Sequence, residues 1–557
     1  MKRIVKLYIW GCGALGLILK LAANRTFKMK KILTCFILLA ITLSSSAQTV
    51  QPIADLIIRN GKVLDGTGNS WFYGDVAIKD GKILKVGVLG DLRTVKNIDA
   101  KGLIVAPGFI DVHGHIEDGV VGTPTADNYI LDGVTTVITG NCGGSEEDIR
   151  GYLRLVDSIR PSINIASLIG HNTVRSQVLQ RANRAPGAEE QKQMDELVAK
   201  AMRDGALGLS TGLIYIPGTF AKTEEVVSLA RAAAKYNGVY ASHIRDEENN
   251  AVDAINEAIN IGKEANIPVQ ISHFKIGGKS NWGKSNITLG LVKKAREDGW
   301  EVTIDQYPYT ASSTNLGVRL PDWTFQGGND SMKVRLTDPE TRAKIKKEML
   351  QQLKDYAFPN YSYAVVASYG PDSTYNGKNI SEINKLLGKK SNAKNEAETI
   401  MDMVLAGGAQ MVYNSMNEED VKYIMKYPFS MFAADASIRV FGQGMPHPRG
   451  YGTNARVLGK YVRDEKVISL EDAIRRMTSL PATKFGLSDR GFLLPNYAAD
   501  IVVFSEAEVQ DISTFQQPHA YSKGFKYVVV NGELVVEGEK HLGTGSGRAL
   551  YGRGYVK

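Results

Sequence analysis

Two histidines one residue apart, His113 and His115, close the apolar stretch PGFIDVHGH. Alternate side chains of a strand face the same way, so both imidazoles would point at one spot beyond the strand's end. Further along, Cys142 in GNCGGS, His243 in SHIRDE, His273 in SHFKIGGKS and Asp435 in FSMFAAD each stand where an apolar run meets a polar or glycine-containing corner. A thiolate with two imidazoles is the borderline-soft set that commonly holds catalytic zinc, with a fourth position left for water. Singly, each residue has a plainer reading, because a lone cysteine after a strand is usually a small core residue and a lone histidine is usually hydrogen-bonded. Their recurrence at equivalent corners points to a metal site.

The elements that must bring these corners together repeat along the chain. With His171, Ser210 and Asp305 added as markers, successive gaps from His113 to Asp305 run from 29 to 39 residues, and the last, to Asp435, is 130. About thirty residues is one strand plus one helix, and TEEVVSLARAAAKY and NAVDAINEAINIGKEA read as such helices. Eight units predict an α/β protein built on a (β/α)8 TIM-like barrel, with the markers at the C-terminal strand ends where catalytic residues of that fold collect. The long last gap predicts a helical insertion over the barrel mouth, at about 316–425, from its Lys/Glu-rich PETRAKIKKEMLQQLKDY.

The flanks read differently. Alternating apolar runs such as ADLIIRNGKVLDG, GDVAIKDGKILKVG and YVVVNGELVVEGEK, broken by Asn-Gly or Asp-Gly, predict hairpins. The two ends are therefore expected to form one small β-sandwich, from 48–104 and 491–557, beside a barrel spanning 105–490. Before them, MKKILTCFILLAITLSSSAQ from Met29 has the basic start, apolar run and small-residue cleavage site of a secretory signal peptide. Residues 1–47 are read as a leader, with Met29 an alternative start, and the mature protein is expected to be periplasmic or secreted.

That leader also carries the charge. The chain has a formal net charge of +8, but eight basic residues and no acids lie in 1–47, leaving 59 of each sign beyond it. A neutral mature chain lacks the basic footprint of a nucleic-acid binder. After cleavage no stable membrane association is expected, and the partner is a small-molecule substrate, with the oligomeric state left open. Of three cysteines, Cys12 and Cys35 lie in the leader, so Cys142 is the sole thiol of the mature chain. In an oxidising compartment such a thiol is tolerated when buried or bound to metal.

Taken in order, PGFIDVHGH, GNCGGS, SHIRDE, SHFKIGGKSNWGKS, IDQYPYTAS and HPRGYGTNARVLGKYVRDE resemble the N-acyl-D-amino-acid deacylases, the D-aminoacylases of the amidohydrolase superfamily. The HxH pair is common to the superfamily, whereas GNCG with the HPR stretch marks this branch. The resemblance implies a tight Zn2+ site at Cys142, His243 and His273, with His113, His115 and Asp435 around a second, weaker position. It implies Asp435 as catalytic acid/base, and Lys275, Tyr307, Ser313 and Arg449 as the residues that bind the substrate's carboxylate. Arg245 and Glu247 are expected to brace His243, His447 to position Arg449, and His171 to make a structural hydrogen bond. One departure stands out: the family shows Gly-Ser-Asp-Gly around its aspartate, and this chain has Ala433-Ala434-Asp435-Ala436.

The activity so implied is hydrolysis of N-acyl-D-amino acids, the D configuration resting on the resemblance alone. The alternatives are an exported dipeptidase acting on D-amino-acid or isoaspartyl dipeptides, and a cyclic-amide hydrolase. Relatives of the latter kind bridge two metals with a lysine on the fourth strand, and ALGLSTGLIY has none. A non-catalytic scaffold would be expected to have lost ligand residues, and here the set is whole.

Overall fold

The computed structural model describes residues 53–557, and the leader expected over 1–47 lies outside the described residues. Residues 54–90 and 94–557 form one compact unit. At its centre are eight parallel strands: β1 (Phe109–Asp111), β2 (Val134–Thr139), β3 (Asn164–Ser167, continuing as Ile169–Gly170), β4 (Gly208–Gly212), β5 (Val239–His243), β6 (Val269–Ile271), β7 (Val302–Gln306) and β8 (Ser430–Phe432). They pair in chain order, in one ladder from β1 to the first part of β3 and a second from the rest of β3 to β8. A parallel bridge joins Gly114 to Ala436 just past β1 and β8, and the His115 amide donates to the Ala436 carbonyl at 2.9 Å.

Every residue of these strands is buried, which is why they read as apolar or small-residue runs rather than alternating ones. The two helices expected between β4 and β6 run Thr223–Ala234 and Ala251–Ala265, each burying an apolar face. The second stops at Asn266, which takes the left-handed conformation that ends helices (φ 49°).

Three sequence expectations are corrected. The run LIVAPGFID is not one strand: Ile104–Pro107 pairs antiparallel with Ile501–Phe504 of the far flank, and only Phe109–Asp111 enters the central ladder. The break falls at Gly108, where a Cβ would lie 2.2 Å from the Thr135 hydroxyl of β2. Asn60-Gly61 is likewise no hairpin turn. Strand Ala54–Val63 runs through it with a register shift, Asn60 taking φ 61° and Gly61 lying so close to Val105 that a Cβ would meet it at 2.4 Å. Asp80-Gly81 and Asn531-Gly532 do turn hairpins, both residues of each having positive φ. With these strands the flanks join in one nine-stranded sheet.

The insertion, third, is not simply helical. Helices Asn329–Thr337, Pro339–Asp355, Ile380–Leu386 and Ala393–Leu405 pack with a three-stranded antiparallel sheet, Ser312–Asn315, Gln410–Tyr413 and Ala364–Ser368. Leu336, Ile345, Met349, Val366, Ile400 and Met411 lie in a core of its own. Its strands have four or five residues, too short for an alternating pattern to stand out from the helical segments between them. Among the described residues no helix is long and apolar enough to cross a membrane.

Candidate active site

The ends of the parallel strands gather the six proposed ligands. Cys142 Sγ lies 3.2 Å from His113 Nε2, 3.5 Å from His243 Nδ1 and 3.6 Å from His273 Nε2. On the other side, Asp435 Oδ1 is 3.3 Å from His115 Nε2 and 3.7 Å from His113 Nε2. Three overlapping donor groups result: His113, His115 and Cys142; Cys142, His243 and His273; and His113, His273 and Asp435.

The backbone at these corners is held in an uncommon conformation. Cys142, His273 and Asp435 all have positive φ, at 54°, 34° and 47°. Such a conformation costs a non-glycine residue roughly 1–3 kcal/mol, so surrounding structure must impose it. Buried carboxylates do much of that. Asp305 of β7 accepts the His273 amide at 2.8 Å and the Gln270 side chain at 2.7 Å. Asp111 of β1 accepts the amides of His113 and Ala434, tying the first corner to the last. Burial nonetheless pushes the Asp111 carboxyl up to about 8. Neither aspartate was singled out by the sequence for this task, although Asp305 carried the signal of standing at a strand-end corner.

A metal fits this donor set. Bonds of about 2.3 Å to sulfur and about 2.0–2.1 Å to nitrogen at tetrahedral angles put neighbouring donors about 3.5 Å apart, close to the S···N distances found here. Burial pushes the Cys142 thiol well above its ordinary range, with Asp435 and Glu247 adding to it, so a cation is what would hold it as thiolate. Burial keeps His243 and His113 neutral, the ligating form. His243 Nε2 and His113 Nδ1 are buried without hydrogen-bond partners.

Around the donors, Glu247 does more than brace His243. Its Oε1 is 2.8 Å from His273 Nδ1 and accepts from Lys275 Nζ at 2.6 Å, while Oε2 lies 3.7 Å from His243 Nε2. A carboxylate on the far nitrogen of a ligating imidazole fixes its tautomer and raises its basicity. Arg245 does not take part; it turns away to pair with Glu257 at 2.9 Å and to cap the carbonyls of Thr219 and Ala221.

The residues expected to bind a carboxylate converge, with one exception. Arg449 Nη2 is 3.0 Å from Asp435 Oδ2, and its guanidinium stands over the Tyr307 ring at 4.4 Å. Lys275 Nζ is 5.7 Å from the centre of the same ring, and the buried Tyr307 hydroxyl has no partner. Burial opposes charge on Asp435, but Arg449 and the imidazoles hold its carboxyl well below the usual range. Ser313 is the exception only in its hydroxyl: the residue lines the same cavity, but its Oγ donates to the Met411 carbonyl inside the insertion sheet and accepts from Gln410, and its own carbonyl reaches Arg449 at 3.3 Å. His447 Nδ1 accepts the Arg449 amide at 3.0 Å, and His171 is committed to Glu225.

Donors and cations open into a cavity of about 640 Å3, walled on one side by Tyr356, Tyr363 and Tyr413 of the insertion. Tyr215, a residue the sequence reading passed over, stacks edge-on against His243 with ring centres 4.8 Å apart and bonds Thr314 of the insertion at 2.9 Å.

Comparison with known proteins gives a consistent picture. The amidohydrolase family model matches residues 96–315 and 396–536. The chain is 32% identical over 521 residues to a D-aminoacylase of Alcaligenes xylosoxydans xylosoxydans, covering 89% of this chain and 97% of that one. It is 33% identical over 505 residues to an N-acyl-D-glutamate deacylase of the same organism, covering 87% and 94%. Among solved structures, the N-acyl-D-glutamate deacylase of Bordetella bronchiseptica, complexed with zinc and a phosphonate mimic of the tetrahedral intermediate, superimposes with a TM-score of 0.77 at 32% identity, covering 90% of this chain and all of that one.

Proposed function

Since this chain belongs to the amidohydrolase family, in the branch of the D-aminoacylases and N-acyl-D-amino-acid deacylases, we propose that it hydrolyses N-acyl-D-amino acids to a carboxylate and a free D-amino acid. The observation that carries this is a single cavity in which a thiol–imidazole donor set faces an ionised Asp435 paired to Arg449. The scaffold we read as a (β/α)8 barrel, supported by the ladder order of β1 to β8 and the bridge between Gly114 and Ala436.

Cys142, His243 and His273 would hold one zinc tightly, and His113, His115 and Asp435 would offer donors to a weaker second position. A metal so held supplies Lewis acidity toward water and the amide carbonyl. Asp435 Oδ1 takes the proton of the attacking water as general base. The same carboxyl then returns it to the departing nitrogen, without which an amine leaves poorly. Arg449 keeps Asp435 charged through Oδ2, and Arg449, Lys275 and Tyr307 orient the α-carboxylate, which fixes the face presented to the donors. The insertion's tyrosines close the cavity on the substrate's remaining surface.

The test pairs metal content with turnover. Purified protein should contain zinc and hydrolyse N-acetyl-D-methionine in preference to its L enantiomer. Cys142→Ala should lose both the metal and at least about a thousandfold of the activity. A metal-free active protein, or full turnover in Cys142→Ala, would overturn the reading.

A further inference from the structure

Asp435 stands in a stretch that cannot hold itself in place. Its neighbours Ala433, Ala434 and Ala436 carry only methyl groups, and Asp435 takes φ 47°. A left-handed aspartate persists only where its surroundings over-determine it, so the ties must come from outside the loop. One residue before it, the Ala434 amide donates to Asp111 Oδ2 at 2.7 Å. One residue after it, the Ala436 carbonyl accepts two bonds, from the His115 amide at 2.9 Å and from the Tyr129 hydroxyl at 2.6 Å. Asp111 and His115 belong to the corner after β1 that also carries His113, so a loop tied to them alone would shift whenever that corner shifts. Tyr129 is the tie that does not depend on it.

Tyr129 is placed to make that bond firmly. It lies on the helical turn Asp127–Ile130 and is 1% exposed. Burial pushes its hydroxyl well above the ordinary phenol range, so it stays a donor. The chain on either side of it is pinned to the same region. Asn128 Nδ2 donates to the carbonyls of Ser437 and Gly450 at 3.3 Å and 2.8 Å, and Asp132 accepts the amides of Asn454 and Ala455 at 2.7 Å and 3.0 Å. The segment Asn128–Asp132 thus grips both the loop after Asp435 and the helix Arg449–Arg456, whose first residue reaches Asp435 Oδ2 at 3.0 Å.

We propose that Tyr129 is a positioning residue for hydrolysis: through the Ala436 carbonyl, its hydroxyl holds the Asp435 carboxylate between the two histidines and Arg449. The proposal rests on the reading of Asp435 as general base in a deacylase. Tyr129 is not among the residues that line the cavity, so it acts on the base and not on the substrate. Loss of the hydroxyl should therefore be felt in kcat, because proton transfer needs the base within hydrogen-bond reach of the water, and little in KM, because Arg449, Lys275 and Tyr307 remain in place.

The experiment compares Tyr129→Phe with the zinc-loaded wild type and with Tyr361→Phe on N-acetyl-D-methionine. Tyr361 is the matched control: it is also 1% exposed, and its hydroxyl donates to the Met349 carbonyl at 3.0 Å within the core of the insertion. In Tyr129→Phe, kcat should fall about ten- to a hundredfold with KM within about twofold of wild type and zinc content unchanged, while Tyr361→Phe keeps the wild-type kcat. Placing p-aminophenylalanine at position 129, whose N–H can donate to the same carbonyl, should recover part of the loss. An unchanged kcat, an equal loss in Tyr361→Phe, a loss confined to KM, or no recovery with the amino analogue overturns the proposal. Crystal structures of wild type and Tyr129→Phe give a reading free of substrate: the contact between Asp435 Oδ2 and Arg449 Nη2, 3.0 Å in the native chain, should open in the variant, and an unmoved Asp435 overturns the role of Tyr129. If the wild type hydrolyses no N-acyl-D-amino acid, the deacylase reading falls, and this structural comparison alone decides whether Tyr129 positions Asp435.

Discussion

At the scale of single residues, Asp435 carries the most specific assignment. It reaches His115 and His113 through Oδ1 and Arg449 through Oδ2, so the oxygen proposed to carry the proton is not the one paired with the guanidinium. Asp435→Asn keeps the shape and the contact to Arg449 but cannot accept the water's proton, and Cys142, His243 and His273 remain to hold zinc. Turnover should fall by at least about a thousandfold while zinc measured by mass spectrometry stays close to wild type; appreciable activity would remove Asp435 from the proton path. That this residue, Cys142 and the histidines would meet at one place was readable in the sequence, because one cysteine and a few histidines at strand ends are chemically scarce. The uses of Glu247 and Arg245 were not readable, since two neighbours in SHIRDE turn to opposite partners only once the helices are in place. The positive φ of Cys142, His273 and Asp435 left no trace in residue type either, because none of the three is a glycine.

At the scale of elements, the thirty-residue spacing made β1 to β8 legible, since each strand and its helix are local. What was illegible depended on distant partners. Gly108 divides LIVAPGFID because strand Ile501–Phe504, nearly four hundred residues later, claims the first half. A methyl group there would press on Thr135 of β2, so Gly108→Ala should destabilise the fold by about 1–3 kcal/mol, read from urea denaturation, even though its φ suits any residue. Helix Ser479–Phe485 offers a test of the opposite sign. Its Lys484 side chain is almost fully buried, and burial pushes it down to about 8 although Glu301 lies 3.1 Å away. Because this folded pKa is below the unfolded value of 10.5, the buried ammonium penalises the fold at neutral pH, and the penalty disappears as pH rises from about 8 to about 10.5. Lys484→Met should therefore be more stable than wild type at pH 7, by up to about 3 kcal/mol. The advantage should shrink toward pH 10.5, and one that is the same at both pH values would contradict the burial argument.

At the scale of the whole molecule, the flank sheet, central strands and insertion share one result: a half-buried Cys142 that has no cysteine partner beyond the leader. If the leader is removed on export, the mature chain contains one thiol, whereas the uncleaved chain contains three, at Cys12, Cys35 and Cys142. Thiol titration can then report on processing and metal binding together. Denatured protein recovered from the periplasm should show one reactive thiol per chain, with an intact mass that starts at Gln48. The native form should show almost none, because burial and a bound cation both withhold the thiolate from a reagent. Adding a chelator should expose that single thiol at the same rate at which hydrolysis is lost, since the sulfur that reacts is the one that would hold the metal. Three thiols in the denatured protein would rule out cleavage, and a thiol that reacts freely before chelation would take Cys142 out of the metal site.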